Sequence, residues 1–458
     1  MGSFAASLFG KANPAFPLDT VAAGVVLPNK TTVAATGAPQ VSVLSNGMKV
    51  VTQSSHIPIT TMGVLVDVGS RYEDSSVNGI TNFTERMILK STVNRPTFRL
   101  YRDMSKLGAD LGATSSREHL ILTAQTASEV NPVLGALADL VSNPAFTFNE
   151  IQHEIEAYKK DSEGRGQMYD VTVNDAVHTA AFGAEGLGAS MYAHDSTLEH
   201  FDTNTLATWH RTFFTPKRMV ISAIGVDHEK FVELCEEMFH HVPKDNEFVP
   251  KVPAAYLGGD VRMTDRSYKG LTHVVLGFNA PSWTSEDVYA ASVLQMLLGG
   301  GGSFSAGGPG KGLYSRLYQN VLNKYNWVDS AVSFNSIYSD AGLFGVYGTA
   351  PAEAAGALAE VLGAEMKNAG NVTEEEVARS KNLLKSSVVS FLENSTSRVE
   401  EMARFVQMFG EYNPATLVKK IDAVTVDDVS RVAKKLLESP ISVATYGDAS
   451  KVPRKIVF

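Results

Sequence analysis

The strongest constraint on the fold of this 458-residue chain is that it repeats itself. In the first half, "HLILTAQTA" (residues 119–127) alternates as a strand and runs into the helical pattern "VNPVLGALADLVSNP". A charged helix, "FTFNEIQHEIEAYKKD", follows behind a Thr or Asn cap. In the second half, "GLFGVYGTA" (342–350) leads into "AAGALAEVLGAEMKNAG" and then "VTEEEVARSKNLLKSSVVSFL", the same elements in the same order. Further on, "RMVISAIGVDHEK" ends its strand at Gly225 and "ISVATYGDASK" ends its own at Gly447. Ala127 to Ala350 is an offset of 223 and Gly225 to Gly447 one of 222, so the halves keep step over nearly a hundred residues. Two unrelated domains share alternation by chance; a constant offset is what duplication produces.

Earlier in each half, "GVLVDVGSRYED" pairs with "VVLGFNAPSWTSED", and Met87 falls opposite Met296 or Leu297, an offset near 210. About a dozen residues are therefore extra in the second half, and "GGGGSFSAGGPGKG", residues 299–312, is the candidate. Each half reads as α+β, a mostly antiparallel sheet with helices packed on one face. The expected organisation is an N-terminal extension over 1–40, one domain over 41–240, a Pro- and Lys-punctuated linker over 241–260, and a second domain over 261–458. The opening "MGSFAASLFGKANPAFPLD" has one basic residue, Lys11, before Asp19, which leaves a trimmed import remnant and a mobile arm equally open.

Composition narrows the function. No apolar run reaches the ~20 residues that cross a bilayer, so membrane association is expected only through partners. The single cysteine, Cys235, excludes an internal disulfide and Cys-rich metal clusters. A formal charge of -9 argues against nucleic acid and suits a positively charged ligand.

The stretch "NGITNFTERM" (78–87) looks like the setting of a metallopeptidase helix. In an inverted zinc motif, His at i and i+4 grip one metal from one helix face while the Glu between them serves the water. Here those places hold Asn82, Glu85 and Arg86. Glu85 survives as a base, but Asn82 is a poor zinc ligand and Arg86 puts a positive charge where the cation would lie. A further carboxylate, Glu163, lies 77 residues after Arg86, but it cannot hold zinc alone. Without other support Glu85 and Arg86 read as a helix ion pair or cap. The pairs His228-Glu229 and His153-Glu154 begin an HExxH, yet Val232 and Ala157 stand where the second His belongs.

Eight of the fourteen residues 299–312 are glycine. A phosphate cradle fails, because a Walker motif ending at Gly310-Lys311 needs Gly at Ser305 and Ser or Thr at Gly312. Such a loop is expected to be mobile unless a partner holds it, and long loops inside a domain are functional or disordered.

These residues carry a resemblance. "NGITNFTERMILKSTVNR" resembles the region where pitrilysin-type M16 peptidases have HFLEHM, and its Glu-Arg-Met version is similar to the alpha-subunit branch of the processing peptidases. "LQMLLGGGGSFSAGGPGKGLYSRLY" and "FNSIYSDAGLFGVYG" resemble that branch too, over a span from about Val41 to "YGDASKVP". The resemblance implies two homologous pitrilysin-like domains and no catalytic or metal residue in this chain, Asn82, Glu85, Arg86 and Glu163 being relics. It implies no cofactor here and zinc in a beta-subunit partner with an intact HxxEH. It also implies that the glycine-rich loop binds a basic presequence peptide through Gly299, Gly300, Gly301, Gly302, Ser303, Phe304, Gly307, Gly308, Gly310, Lys311 and Gly312, with an exposed sheet edge able to add the peptide as a strand. Further expectations are a place on the matrix side of the mitochondrial inner membrane as a core subunit of respiratory complex III, with cytochrome b, cytochrome c1 and the Rieske protein as neighbours, and no nucleic-acid partner. A purely structural core subunit is the rival expectation.

Overall fold

The computed structural model describes residues 37–165, 168–242, 249–264, 270–303 and 312–454. The first half supplies strands β1 (Gln40–Val43), β2 (Lys49–Gln53), β3 (Thr60–Val66), β4 (Asp110–Ser115), β5 (Leu120–Thr126) and β6 (Met219–Ile224). Its helices are α1 (Ile80–Met87), α2 (Thr97–Leu107), α3 (Val130–Ser142), α4 (Phe148–Arg165), α5 (Tyr169–Phe182), α6 (Asp195–Leu198), α7 (Thr203–Phe213) and α8 (His228–Phe239). The second half supplies β7 (Gly259–Thr264), β8 (Thr272–Asn279), β9 (Gly300–Gly302), β10 (Ser330–Ile337), β11 (Gly342–Ala350) and β12 (Ser442–Gly447). Helices α9 (Val288–Leu298), α10 (Ala355–Lys367), α11 (Glu374–Glu393), α12 (Ser395–Phe409), α13 (Pro414–Ala423) and α14 (Val426–Leu437) complete it. β7 opens at Gly259, so the last two residues of the expected 241–260 linker are strand.

The sheets run β1-β2-β6-β3-β5-β4 and β7-β12-β8-β11-β10-β9. Among the described strands, only the β2–β6 and β7–β12 pairs are parallel. Five strands correspond one to one, so the duplication read from the sequence is a duplication of topology. Thr61 faces Ile224 in the first sheet, and His273 faces Tyr446 in the second. The first members are 212 residues apart and the second 222, which places the extra segment between β8 and β12. β9, the start of the glycine-rich stretch, occupies the edge next to β10 that has no counterpart in the first sheet.

The one-face cover expected of each half holds for its own helices. Val64, Val66, Leu122 and Ile221 pack with Leu137 of α3, Phe231 of α8 and Phe83 of α1. The other face of each sheet is also covered, by a helix from the opposite half. Val399, Met402, Ala403 and Val406 of α12 lie against Val51, Leu65, Ile121 and Val220 of the first sheet. Val173, Val177 and Ala181 of α5 lie against Val275, Leu343 and Ala444 of the second. Burying a Val, Leu or Met side chain is worth about 1.5–3 kcal/mol, so each exchanged helix contributes several such terms to holding the halves together.

Between the halves lies a buried ion network. Arg71, after β3, donates to Glu118 at 2.7 Å and to Asp340 at 2.6 Å, with side-chain exposures of 2% for Arg71 and 5% for Glu118. Ser339 donates its N–H to Glu118 at 2.9 Å, and Arg71 also donates to the Val252 carbonyl of the connecting segment. His178 of α5 bridges the same interface. Its Nδ1 lies 2.6 Å from the Asn174 carbonyl, which only accepts, so Nδ1 carries the proton and Nε2 accepts from the Tyr338 hydroxyl at 2.7 Å.

Candidate functional site

Helix α1 is held at its start by Glu73, whose carboxylate accepts the N–H groups of Gly79 at 2.6 Å and Thr81 at 2.8 Å. Burial raises the Glu73 pKa to about 7, against those bonds. Gly79 has φ +81, and a Cβ there would sit 2.1 Å from the backbone nitrogen of Ala193. Only glycine lets α1 enter its groove.

From this start, Asn82, Glu85 and Arg86 share one face, as the helical spacing requires. Their partners are not those of a metal site. Glu85 accepts from the Ser115 N–H at 2.8 Å and from the Asn82 side chain at 3.2 Å. Asn82 Oδ1 accepts from the Tyr158 hydroxyl at 2.9 Å, and that hydroxyl accepts the Ala193 N–H at 3.0 Å. Arg86 lies between two carboxylates of α4, bonded to Glu154 at 2.5 Å and Asp161 at 2.8 Å. Its guanidinium carbon is 5.2 Å from the centre of the Tyr158 ring, and Lys90 joins Glu154 at 2.9 Å.

This arrangement decides what the chemistry can be. A hydrolytic metal needs deprotonated or neutral ligands converging on one point. Here a permanent cation occupies that face, and the neighbouring carboxylates spend their charge on it. Among the described residues no group of three His, Cys, Asp or Glu could hold a metal ion. Glu163 belongs to α4, and its side chain lies outside the described residues.

Glu154, Tyr158 and Asp161 were not singled out by the sequence as partners of α1. The signal was present, since positions i, i+4 and i+7 of a helix fall on one face. What the sequence lacked was which helix that face meets. His228 also has a local role, with Ser42 and Thr52 hydroxyls each 2.8 Å from its ring nitrogens.

The glycine-rich stretch divides. Gly299 through Ser303 are held by the second sheet itself, which corrects the expectation that the whole loop needs a partner for order. Gly300, Gly301 and Gly302 pair with Val332, Ala331 and Ser330. Ser303 donates its N–H to Asp329 at 2.7 Å, and the Tyr318 hydroxyl donates to the Gly302 carbonyl at 3.1 Å. Gly300 has φ +103, and a Cβ there would lie 2.0 Å from the Ala331 carbonyl oxygen. Gly312 closes the stretch at φ +75. Phe304, Gly307, Gly308, Gly310 and Lys311 lie outside the described residues. The equivalent edge of the first sheet, β4, has no strand beyond it among the described residues, and Ser115 at its end is bonded to Glu85.

Residues 49–195 match the family profile described as Insulinase (Peptidase family M16), and residues 200–384 match that of the Peptidase M16 inactive domain. The chain is 36% identical over 445 residues to the mitochondrial-processing peptidase subunit alpha of Solanum tuberosum, covering 96% of this chain and 87% of that one. It is 34% identical to the probable subunit alpha-1 of Arabidopsis thaliana, over 90% of this chain and 82% of the other. With the subunit alpha of Bos taurus the identity is 31%, over 97% and 89%.

Proposed function

From the premise that this chain belongs to peptidase family M16, among the alpha subunits of mitochondrial-processing peptidase, we propose that it is the noncatalytic, presequence-binding half of a heterodimeric peptidase. The observation that carries this reading is Arg86, fixed by Glu154 and Asp161 where a catalytic metal would need a vacancy. A chain built this way hands its peptide to a beta subunit whose intact HxxEH holds zinc, and together they remove targeting peptides from imported precursors.

Two features suit an extended basic client. The chain's -9 charge attracts it over distance. The edge of β4, which has no neighbouring strand among the described residues and ends beside Glu85, offers backbone groups to which a peptide can add as a strand. The glycine-rich stretch 299–312, of which Gly300–Gly302 are anchored as β9, is assigned to the same client. We also assign the chain to the mitochondrion, on the matrix side of the inner membrane. There it is a core subunit of respiratory complex III beside cytochrome b, cytochrome c1 and the Rieske protein. No described helix is long and apolar enough to cross a membrane, so that attachment runs through those partners.

Reconstitution tests the reading. The chain is combined with a beta subunit carrying HxxEH, and presequence cleavage is compared with and without residues 300–312. Loss of cleavage with the pair still assembled is the expected result. Unchanged cleavage would leave a purely structural core subunit as the better account.

A further inference from the structure

A cavity of about 400 Å³ lies where α12, the helix that covers the first sheet, meets α9, α11 and α13 of its own half. The wall is apolar, with Trp283, Tyr289, Leu384, Val388, Leu417 and Ile421 facing it. This volume falls in the range of small-molecule sites and holds about a dozen heavy atoms at roughly 30 Å³ each.

One charged pair breaks the apolar lining. Arg404 and Glu401 both border the cavity and bond to each other, with side-chain exposures of 19% and 11%. The guanidinium carbon of Arg404 lies 4.5 Å from the Trp283 ring centre and 5.3 Å from that of Phe405. Stacking and the Glu401 bond thus hold the guanidinium plane in a fixed orientation. Glu401 takes a bond from Nη2 only, and the Nε and Nη1 donors of Arg404 have no acceptor among the described residues. Neither nitrogen is a buried unpartnered atom, so on this 19% exposed side chain both stay accessible to a ligand or to water. An oriented guanidinium edge is complementary to a planar carboxylate.

We propose that this cavity binds a small monocarboxylate with an apolar body of up to about a dozen heavy atoms, seated with its carboxylate on Arg404 and its body between Trp283 and the α11–α13 side chains. Glu401 orients the arginine and, by its own charge, disfavours dianionic ligands. The proposal is independent of the peptide-binding reading, because none of these residues belongs to the α1 face or the glycine-rich stretch.

The test uses the full chain and two probes of equal length, decanoate and decanol, in isothermal titration. Decanoate is expected to bind once per chain and at least tenfold more tightly than decanol. Arg404→Gln should reduce decanoate affinity to that of decanol while leaving decanol unchanged. Arg404→Lys, which keeps the charge and loses the planar fork, should fall between. Val388→Trp, at a half-buried position on the wall, should abolish binding of both probes with an unchanged circular dichroism spectrum. Absence of saturable decanoate binding to the wild type overturns the proposal. So does equal affinity for the two probes, or decanoate binding that persists in the Trp variant. If Arg404→Gln does not fold, the Lys and Trp variants decide.

Discussion

The guanidinium of Arg86 bonds the Asp161 carboxylate at 2.8 Å across two helices whose sequence separation gives no hint that they meet. With Glu154 it forms a closed charge cluster on the α1 face. Arg86→Ala should therefore leave Glu154, which is 9% exposed, with Lys90 as its remaining ion-pair partner among the described residues, and destabilise the fold by about 1–3 kcal/mol. It should not create a zinc site, because Asn82 stays bonded to Tyr158. Urea denaturation and metal analysis of the purified variant check both statements, and stoichiometric zinc in either wild type or variant would contradict the second.

Arg71 carries the interface between the halves in the same way, but deeper. Removing it leaves Glu118 buried with Lys251 at 3.3 Å as its remaining ion-pair partner among the described residues. Arg71→Ala is expected to cost about 3 kcal/mol or more, since breaking one side of a buried pair strands the other charge. A double replacement, Arg71→Met with Glu118→Leu, should cost much less than the single. Denaturant midpoints of the three proteins measure the difference.

His178 gives the interface a pH dependence. Burial, aided by the nearby charge of Arg117, lowers its pKa from 6.5 to about 3. Below pH 6.5 the unfolded chain takes up a proton that the folded chain refuses, so stability is full above that pH and falls as pH drops towards 3. The slope from this one group approaches about 1.4 kcal/mol per pH unit. His178→Gln, which keeps a donor for Asn174 and an acceptor for Tyr338, should lower the acid slope by that amount between pH 6 and about 4. An unchanged slope would place the acid sensitivity elsewhere.

Gly300→Ala tests whether order in β9 matters to peptide handling. A Cβ 2.0 Å from the Ala331 carbonyl cannot be accommodated without breaking the pairing, at a local cost of about 1–3 kcal/mol. The expected outcome in the reconstituted pair is a lower kcat/KM for presequence cleavage with intact assembly. Gly302→Ala, where a Cβ meets nothing within 4 Å, is the control and should leave cleavage near wild type.

Met402 lies fully buried under the first sheet although it belongs to the second half. Met402→Ala should destabilise by about 2–5 kcal/mol. It should also loosen the two halves relative to each other, so faster proteolysis between residues 239 and 259 is the readout beside the melting temperature.

The sequence by itself determined the repeat, the order of strands and helices within each half, and that Asn82 and Arg86 stand where a His pair would be needed. These are written in residue type, local periodicity and a constant offset, which need no knowledge of what lies across the fold. The sequence reading put helices on one face of each sheet, whereas β3 and β6 are buried along their whole length, as strands covered on both faces are. Nothing in that pattern says whose helix provides the second cover. That α12 crosses to the first sheet and α5 to the second, that Glu154 and Asp161 close around Arg86, and that three glycines become an edge strand were decided only by tertiary structure. Each depends on contacts between segments far apart in the chain, and such contacts follow from how surfaces pack, a property no local window of sequence contains.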